Sequence, residues 1–124
     1  MSEDNFITAL YANRALSALY GGIALPEPAR SDLLERMTHV KPGLNYLLAY
    51  GTGGTVSHKN GFFQIDDGTW VDNDIAIVRF DRNGREYAYA ISFFSDYVAT
   101  KYGDIGLGQQ ISKITWAFFD ARYE

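Results

Sequence analysis

One stretch of the sequence decides the predicted fold: Gly53-Gly54-Thr55-Val56-Ser57-His58-Lys59-Asn60-Gly61-Phe62-Phe63. The two glycines favour a turn, and the residues that follow predict a β-strand over about residues 54–64. The triplet Lys59-Asn60-Gly61 stands where an ordinary strand would hold apolar residues. This strand is therefore both the start of a sheet and the first place to look for a functional site.

Two further strands follow. Residues 74–80 are β-branched and apolar in the middle, which is typical of a central strand covered on both faces. Asn83-Gly84 is a strong hairpin signal, so a return strand is predicted over about residues 86–95. Its small residues Ala88, Ala90 and Ser92 share one face and would let a helix approach closely. The polar residues 64–73 are interpreted as a loop long enough to form a flap.

Helices are predicted on both sides of this sheet in the sequence. The first covers about residues 6–20, the second begins near Pro26 and Pro28, and a short apolar segment covers residues 44–50. The closing segment, residues 104–123, is expected to pack on the sheet. The stripes predicted to be buried are Phe6, Leu10, Leu16 and Leu19; then Ala29, Leu33 and Met37; then Leu107, Ile111, Ile114, Phe118 and Ala121. The fold class is α+β, an antiparallel three-stranded sheet with N-terminal helices and a C-terminal helix, in a single domain over residues 1–124.

Composition limits the classes of function. The chain has 124 residues, of which 47% are hydrophobic, and it has no cysteine, which excludes disulfides and thiolate chemistry. A net charge of −4 without a cluster of Lys and Arg argues against a nucleic-acid partner. No apolar run reaches the ~20 residues of a membrane span, and the first residues do not resemble a signal peptide. The compartment is left open.

Neither a metal nor a cofactor is expected. His39 and His58 are isolated, and a metal site needs three or four convergent ligands. The aspartates Asp66, Asp67, Asp72 and Asp74 lack the spacing of a calcium loop and are interpreted as a wet loop, with Asp74 marking a strand start.

A three-stranded sheet leaves two open edges, and an unpaired edge invites pairing with another chain. The sequence therefore predicts either partner strands from elsewhere or self-association through a sheet edge.

Several segments, in this order, resemble the C-terminal half of a class A β-lactamase-like serine hydrolase. They are Leu33-Leu34-Glu35-Arg36-Met37, residues 44–51, Thr55-Val56-Ser57-His58-Lys59-Asn60-Gly61, Asn73-Asp74-Ile75-Ala76-Ile77-Val78 and Tyr87-Ala88-Tyr89-Ala90-Ile91. The resemblance covers nearly the whole chain and implies a partial β-lactamase-like fold. The family includes β-lactamases and D-alanyl-D-alanine peptidases, and its members are commonly periplasmic or extracellular.

The resemblance also assigns roles on the strand, where the family carries Lys, then Thr or Ser, then Gly. Lys59 would act electrostatically, and Asn60, which stands where a hydroxyl residue is usual, would bind the substrate by donating a hydrogen bond from its amide to a carboxylate. Gly61 would let a substrate lie against the backbone, and the backbone N–H of Phe62 would be an oxyanion-hole donor.

The nucleophile motif of this family, Ser-x-x-Lys, is absent, because no serine of the sequence has a lysine three positions later. The expectation is a hydrolase portion that acts on β-lactams or peptidoglycan-type peptides only when a nucleophile-bearing half completes it, and that is inert alone. The alternative is a non-catalytic α+β module for binding or assembly.

Overall fold

Three helices surround a three-stranded sheet in the part of the chain that the structure, a computed structural model, describes: residues 7–40 and 47–123. The elements in chain order are α1 (Ala9–Tyr20), α2 (Ala29–Arg36), β1 (Thr55–Gln64), β2 (Trp70–Arg82), β3 (Arg85–Phe94) and α3 (Ile105–Arg122). The sheet is antiparallel in the order β1-β2-β3, so the predicted α+β class is confirmed. Residues 44–46 of the predicted short segment 44–50, and Phe6, lie outside the described residues, and residues 47–50 form a bend and a turn instead of a regular helix.

The central strand is longer than the sequence indicated. β2 begins at Trp70, so the predicted flap over residues 64–73 is wrong and only residues 65–69 connect β1 to β2. The segment after β3 supplies the partners that hold these polar residues in the strand. Trp70 and Val98 exchange backbone hydrogen bonds of 2.7 and 3.0 Å, and the Asp72 N–H donates to Ser95 Oγ at 3.1 Å.

The hairpin between β2 and β3 forms where Asn83-Gly84 predicts it. Asn83 has φ 54° and Gly84 has φ 79°, the two left-handed conformations that a tight hairpin turn requires. The two-residue turn matches the observed register of these strands, in which Arg82 lies opposite Arg85.

The two faces of the sheet carry separate apolar cores. α3 and residues 47–48 cover one face, where the buried side chains are Leu47, Leu48, Ala76, Val78, Phe80, Tyr89, Ile91 and Phe93. α1 and α2 cover the other, where Leu16, Leu19 and Leu34 of the helices pack with Ile77 of β2. The small-residue face of β3 admits α1, as expected, and the Ser92 hydroxyl donates to Asn13 Oδ1 at 2.6 Å.

The buried faces of the first two helices differ from the predicted stripes. α1 buries Ala12, Leu16 and Leu19, whereas Leu10 is 59% exposed. α2 buries Leu34, while Ala29 and Leu33 are exposed. Each helix therefore buries only part of its predicted apolar stripe against the sheet.

The stripe predicted for α3 is wrong. The helix contacts the sheet side through the small residues Gly108 and Ser112, and the Ser112 hydroxyl donates to the carbonyl of Leu48 at 2.9 Å. A Cβ on Gly108 would lie 2.6 Å from Leu47 Cδ2, so the close approach depends on glycine. Trp116, Phe119 and Tyr123 pack beside these residues, while Leu107, Ile111, Ile114 and Phe118 point away from the sheet. No helix in residues 7–40 and 47–123 has the length and apolar character needed to cross a membrane.

Candidate active site on an edge strand

Lys59 is an exposed side chain on an edge strand. β1 pairs with β2 on one side, and within the described residues no strand pairs with it on the other. The Lys59 ammonium donates to the carbonyl of Asn60. Side chains alternate along a strand, so Lys59 shares the α2 face of β1 with Ser57 and Gly61.

The residues before Lys59 are anchored on opposite faces of the sheet. Ser57 is fully buried, and its hydroxyl donates to the carbonyl of Leu34 in α2 at 2.7 Å. His58 points to the other face and is 1% exposed. The position of the Lys59 backbone is therefore fixed by its neighbours, while its own side chain is exposed.

His58 forms a buried hydrogen-bond contact with Asp74. Its Nδ1 lies 3.0 and 3.1 Å from the two carboxylate oxygens of Asp74, and Oδ2 of Asp74 also accepts from the Leu48 N–H at 2.9 Å. His58 is thus held by hydrogen bonding on the face opposite Lys59. The interpretation of Asp74 as a strand start in a wet loop is wrong, because Asp74 is 0% exposed in the interior of β2.

The backbone N–H of Phe62 points to the open edge of the sheet. The His58 N–H donates to the carbonyl of Met37, outside the sheet, at 3.0 Å. Alternate residues of an antiparallel strand direct their N–H groups to the same side, so the N–H groups of Asn60 and Phe62 also face away from β2. This is the direction that an oxyanion donor at position 62 requires.

The predicted site residues are contiguous, but their side chains do not converge. Asn60 is 5% exposed and lies on the face opposite Lys59. Gly61 faces open space, since a Cβ built there meets no atom within 4 Å. The edge strand thus carries four features in a row: the exposed cation of Lys59, the buried amide of Asn60, the unobstructed Gly61 and the edge-facing N–H of Phe62. Their roles in binding or catalysis stay predictions.

A pair of buried carboxyl groups lies next to this strand. Asp72 pairs with Phe62 across the sheet, and both of its carboxylate oxygens are buried without a hydrogen-bond donor, as are those of Asp104. Burial raises the pKa of Asp72 to about 7, and the adjacent Asp104 carboxyl adds to the rise, whereas Lys101 acts in the opposite direction. The interpretation of Asp72 as part of a wet loop is wrong.

Lys101 is surrounded by aromatic rings beside the same strand. Its Nζ lies 5.0 Å from the ring centroid of Phe62, 5.6 Å from that of Trp70 and 5.3 Å from that of Tyr102. Cation–π contacts of this kind hold an ammonium group over the rings. Sequence reasoning missed both Lys101 and the carboxyl pair, since the partners are remote in sequence and no local pattern joins them.

The described residues contain no group of three or more His, Asp and Glu side chains that could hold a metal ion. His39 is exposed, and its Nε2 lies 3.0 Å from Glu35 Oε1 within the helical region around α2. Asp67 accepts hydrogen bonds from the N–H and the hydroxyl of Thr69, which lower its pKa.

Solved structures of β-lactamases and a penicillin-binding protein share this architecture. TLA-3 extended-spectrum β-lactamase matches with a TM-score of 0.75 and 23% identity over 93% of this chain and 42% of its own. A class A β-lactamase from Bacteroides cellulosilyticus matches with a TM-score of 0.74 and 21% identity, covering 92% and 42%. PBP-A matches with a TM-score of 0.67 and 23% identity, covering 89% and 38%. No protein family and no curated protein matches the sequence.

The chain therefore has a partial β-lactamase-like fold, which confirms the fold that the resemblance implied. It spans about 42% of the length of the β-lactamases that it matches.

Proposed function

We propose that this chain is the portion of a β-lactamase-like serine hydrolase that carries the lysine-bearing edge strand, and that it acts on β-lactams or peptidoglycan-type peptides only when a nucleophile-bearing half completes it. The observation that carries the proposal is the edge of β1, where the exposed Lys59 and the edge-facing N–H of Phe62 lie on a fold shared with β-lactamases.

In the completed site each residue would have a separate task. The Lys59 ammonium would attract the carboxylate of a β-lactam or peptide and stabilise negative charge during acyl transfer. The Phe62 N–H would donate to the oxyanion that forms when a serine attacks the carbonyl. Gly61 would leave room for the substrate along the strand, where a Cβ would otherwise project. Asn60, being buried, would act by holding the strand in place.

Alone, the chain would be inert. Its sequence contains no Ser-x-x-Lys motif, and an oxyanion donor with a lysine cannot replace a nucleophile. Without a nucleophile no acyl-enzyme can form, even if the substrate is bound and an oxyanion donor is present. The fold similarity is thus compatible with hydrolase activity only where a nucleophile-bearing half is present as well.

A fluorescent penicillin tests the proposal. The purified chain is incubated with the probe by itself, and then after addition of a separately expressed polypeptide that carries Ser-x-x-Lys. Covalent label is expected only in the mixture, and on the added polypeptide. Lys59→Ala is expected to abolish that labelling without unfolding the chain, whereas Lys113→Ala, which removes an exposed lysine on α3, leaves it unchanged. Labelling of the chain by itself, or full labelling with Lys59→Ala, would contradict the proposal.

A second candidate function rests on the two sheet edges. β1 and β3 each lack a strand partner on the outer side within the described residues, so the chain could serve as a non-catalytic module that binds or assembles through an added strand. In that case Lys59→Ala changes neither labelling nor folding, and light scattering shows association at high concentration. A strict monomer that labels only in the mixture favours the hydrolase portion.

A further inference from the structure

The residue before the closing helix does not act as its cap. Asp104 precedes Ile105, the first residue of α3, and an aspartate at this position ordinarily accepts a hydrogen bond from an N–H of the first helical turn. Here the side chain makes no such bond, while the Asp104 carbonyl accepts from the Gly108 N–H at 3.1 Å. Both carboxylate oxygens are buried without a donor. The inward position of this carboxyl group therefore has another cause.

Asp72 of β2 supplies the neighbouring carboxyl group. It lies on the sheet face that α3 covers, two residues before Asp74 and opposite Phe62 of β1. Its backbone is held in place, because the Ser95 hydroxyl accepts from the Asp72 N–H at 3.1 Å and donates to the Asp72 carbonyl at 2.6 Å. Its side-chain oxygens are buried and have no donor. Two ionised carboxylates in such surroundings repel each other, and neither can donate a hydrogen bond to the other.

A single proton removes both the repulsion and the missing hydrogen bond. A carboxylic acid donates from its O–H and an adjacent carboxylate accepts, so a pair that holds one proton is hydrogen-bonded and carries one negative charge. Like-charged carboxyl groups in one site commonly keep a proton for this reason. The pKa of Asp72 is raised to about 7 mainly by burial and next by the hydrogen bond with Asp104, which agrees with a shared proton below pH 7.

Lys101 balances the charge that remains on the pair. Its attraction acts against the rise of the Asp72 pKa. Its ammonium group is held over the rings of Phe62, Trp70 and Tyr102, so it stays beside the carboxyl groups. One proton and one lysine thus leave the cluster without net charge.

The other charged or titratable residues of the surrounding strands and of the β3–α3 connection are bound elsewhere or turned away. They are His58, Lys59, Asp74, Arg85, Glu86 and Asp96. His58 and Asp74 bind each other, and Lys59 lies on the opposite face of the sheet. The two in β3 stand at its far end, and Asp96 is exposed. The first turn of α3, residues 105–108, carries no charged residue.

We propose that Asp72 and Asp104 share one proton, and that this hydrogen bond clamps the connection between β3 and α3, residues 95–104, onto the ends of β1 and β2. When the proton is lost, two buried negative charges face a single lysine. The repulsion then favours separation of the two carboxyl groups, so the clamp loosens as the pH rises above about 7.

The clamp acts on the part of β1 that carries the edge-facing N–H of Phe62. The Tyr102 ring contacts the Phe62 ring with centroids 6.0 Å apart, and the backbone hydrogen bonds of Val98 fix Trp70 at the start of β2. We therefore expect the Phe62 N–H to be held more firmly below pH 7 than above it. Only this bearing on oxyanion binding rests on the proposed function, whereas the clamp itself is a property of the chain alone.

Carboxyl ¹³C resonances of the full chain test the shared proton. From about pH 3 to about pH 9 the Asp72 and Asp104 signals are expected to move together in a step near pH 7. In Asp104→Asn the Asp72 carboxylate can accept from the new amide, so the midpoint of its step is expected to fall by about one pH unit or more. Asp96→Asn, at an exposed aspartate of the same connection, is expected to leave the step unchanged.

Unlinked titrations of the two carboxyl groups, or a step near pH 7 that Asp104→Asn does not move, would overturn the shared proton. Circular dichroism confirms folding of each variant. If Asp104→Asn does not fold, Asp72→Asn takes its place, and the Asp104 signal is then expected to lose the step near pH 7.

Amide hydrogen exchange tests the clamp, with rates corrected for the pH dependence of exchange in unstructured peptides. Between about pH 6 and about pH 8.5 the protection of the Trp70 and Val98 N–H groups is expected to fall at least about fivefold in the unaltered chain. It is expected to stay constant in Asp72→Asn, whose amide has no proton to lose in this range. The N–H groups of Ile77 and Val78, in the middle of β2, are expected to stay better protected throughout, because the opening is local.

Three results of the exchange measurement would overturn the clamp. They are constant protection of Trp70 and Val98 in the unaltered chain, an equal fall in Asp72→Asn, and exchange of Trp70, Val98, Ile77 and Val78 at one common rate. The last result would mean that the whole chain unfolds instead of opening at this connection.

Discussion

Replacing Asp72 by asparagine should stabilise the protein at neutral pH. Asp72 is fully buried, Asp104 next to it is half-buried, and the oxygens of both carboxyl groups are buried without a hydrogen-bond donor. In the folded chain Asp72 keeps its proton up to a pKa of about 7, whereas its usual value is 3.8. An asparagine amide has the same shape, carries no charge and can donate a hydrogen bond to Asp104.

The direction and size of the effect follow from proton linkage. Between pH 3.8 and about 7 the folded chain holds a proton that the unfolded chain has lost, so the free energy of unfolding decreases as pH rises through this window and then levels off. The rise of the Asp72 pKa from 3.8 to about 7, at ~1.4 kcal/mol for each tenfold change in proton affinity, sets an upper limit of about 4 kcal/mol on this loss. We expect Asp72→Asn to recover about 1–3 kcal/mol at pH 8, because Lys101 and local relaxation offset part of the repulsion.

Urea denaturation at a series of pH values measures this. The free energy of unfolding of Asp72→Asn minus that of the unaltered chain is expected to be near zero at pH 4, to grow up to pH 7 and to stay constant above it. Asp66→Asn, at an exposed position of the β1–β2 connection, is the control and should show no such growth. A difference that does not change with pH, or a variant less stable at pH 8, would refute the reasoning.

Other substitutions test the packing around the edge strand. His58→Ala leaves the buried carboxylate of Asp74 without its imidazole partner and should cost about 3–5 kcal/mol of unfolding free energy, measured in urea. The loss in the double variant with Asp74→Ala should be smaller than the sum of the two single losses. Gly54→Ala should cost about 1–3 kcal/mol, because its Cβ would lie 2.6 Å from Val78 Cγ1, whereas Gly61→Ala, in open space, should change stability by less than about 0.5 kcal/mol. Gly106→Ala, in the first turn of α3, should add about 0.5–1 kcal/mol, seen as a higher melting temperature. Equal effects of the three glycine substitutions would contradict this account.

The sheet could be predicted from the sequence because its turn and its strand starts are marked by neighbouring residues. Asn83-Gly84 adopts the two positive φ angles that its chemistry favours, and the strand that follows Gly54 begins within a residue of its predicted start. The strand begins earlier than the polar residues before Asp74 indicate, because Trp70 to Asn73 pair with β1 and because Ser95 and Val98, beyond β3, bind Asp72 and Trp70 on the other side. The contacts from beyond β3 are remote in sequence, so no pattern of neighbouring residues predicts them.

The helix faces were harder to predict for a different reason. Periodicity identifies an apolar stripe, but it does not say which surface the stripe meets. In α3 the large aliphatic residues form the clearer stripe, yet the sheet accepts the small residues Gly108 and Ser112 because they permit a close approach. The buried pair of His58 and Asp74 escaped for a similar reason, since polar residues in a sequence are read as exposed unless their partner is known.

In β1 the residues that hold the strand in place are different from the residue with the exposed side chain. Ser57 and His58 hold the strand from opposite faces, while the next side chain, Lys59, contributes no buried contact. Substitutions at the exposed position 59 should therefore change the side chain with little effect on the free energy of unfolding. The same arrangement makes this one position a convenient attachment point for a new functional group, because the backbone that would carry it is already rigid.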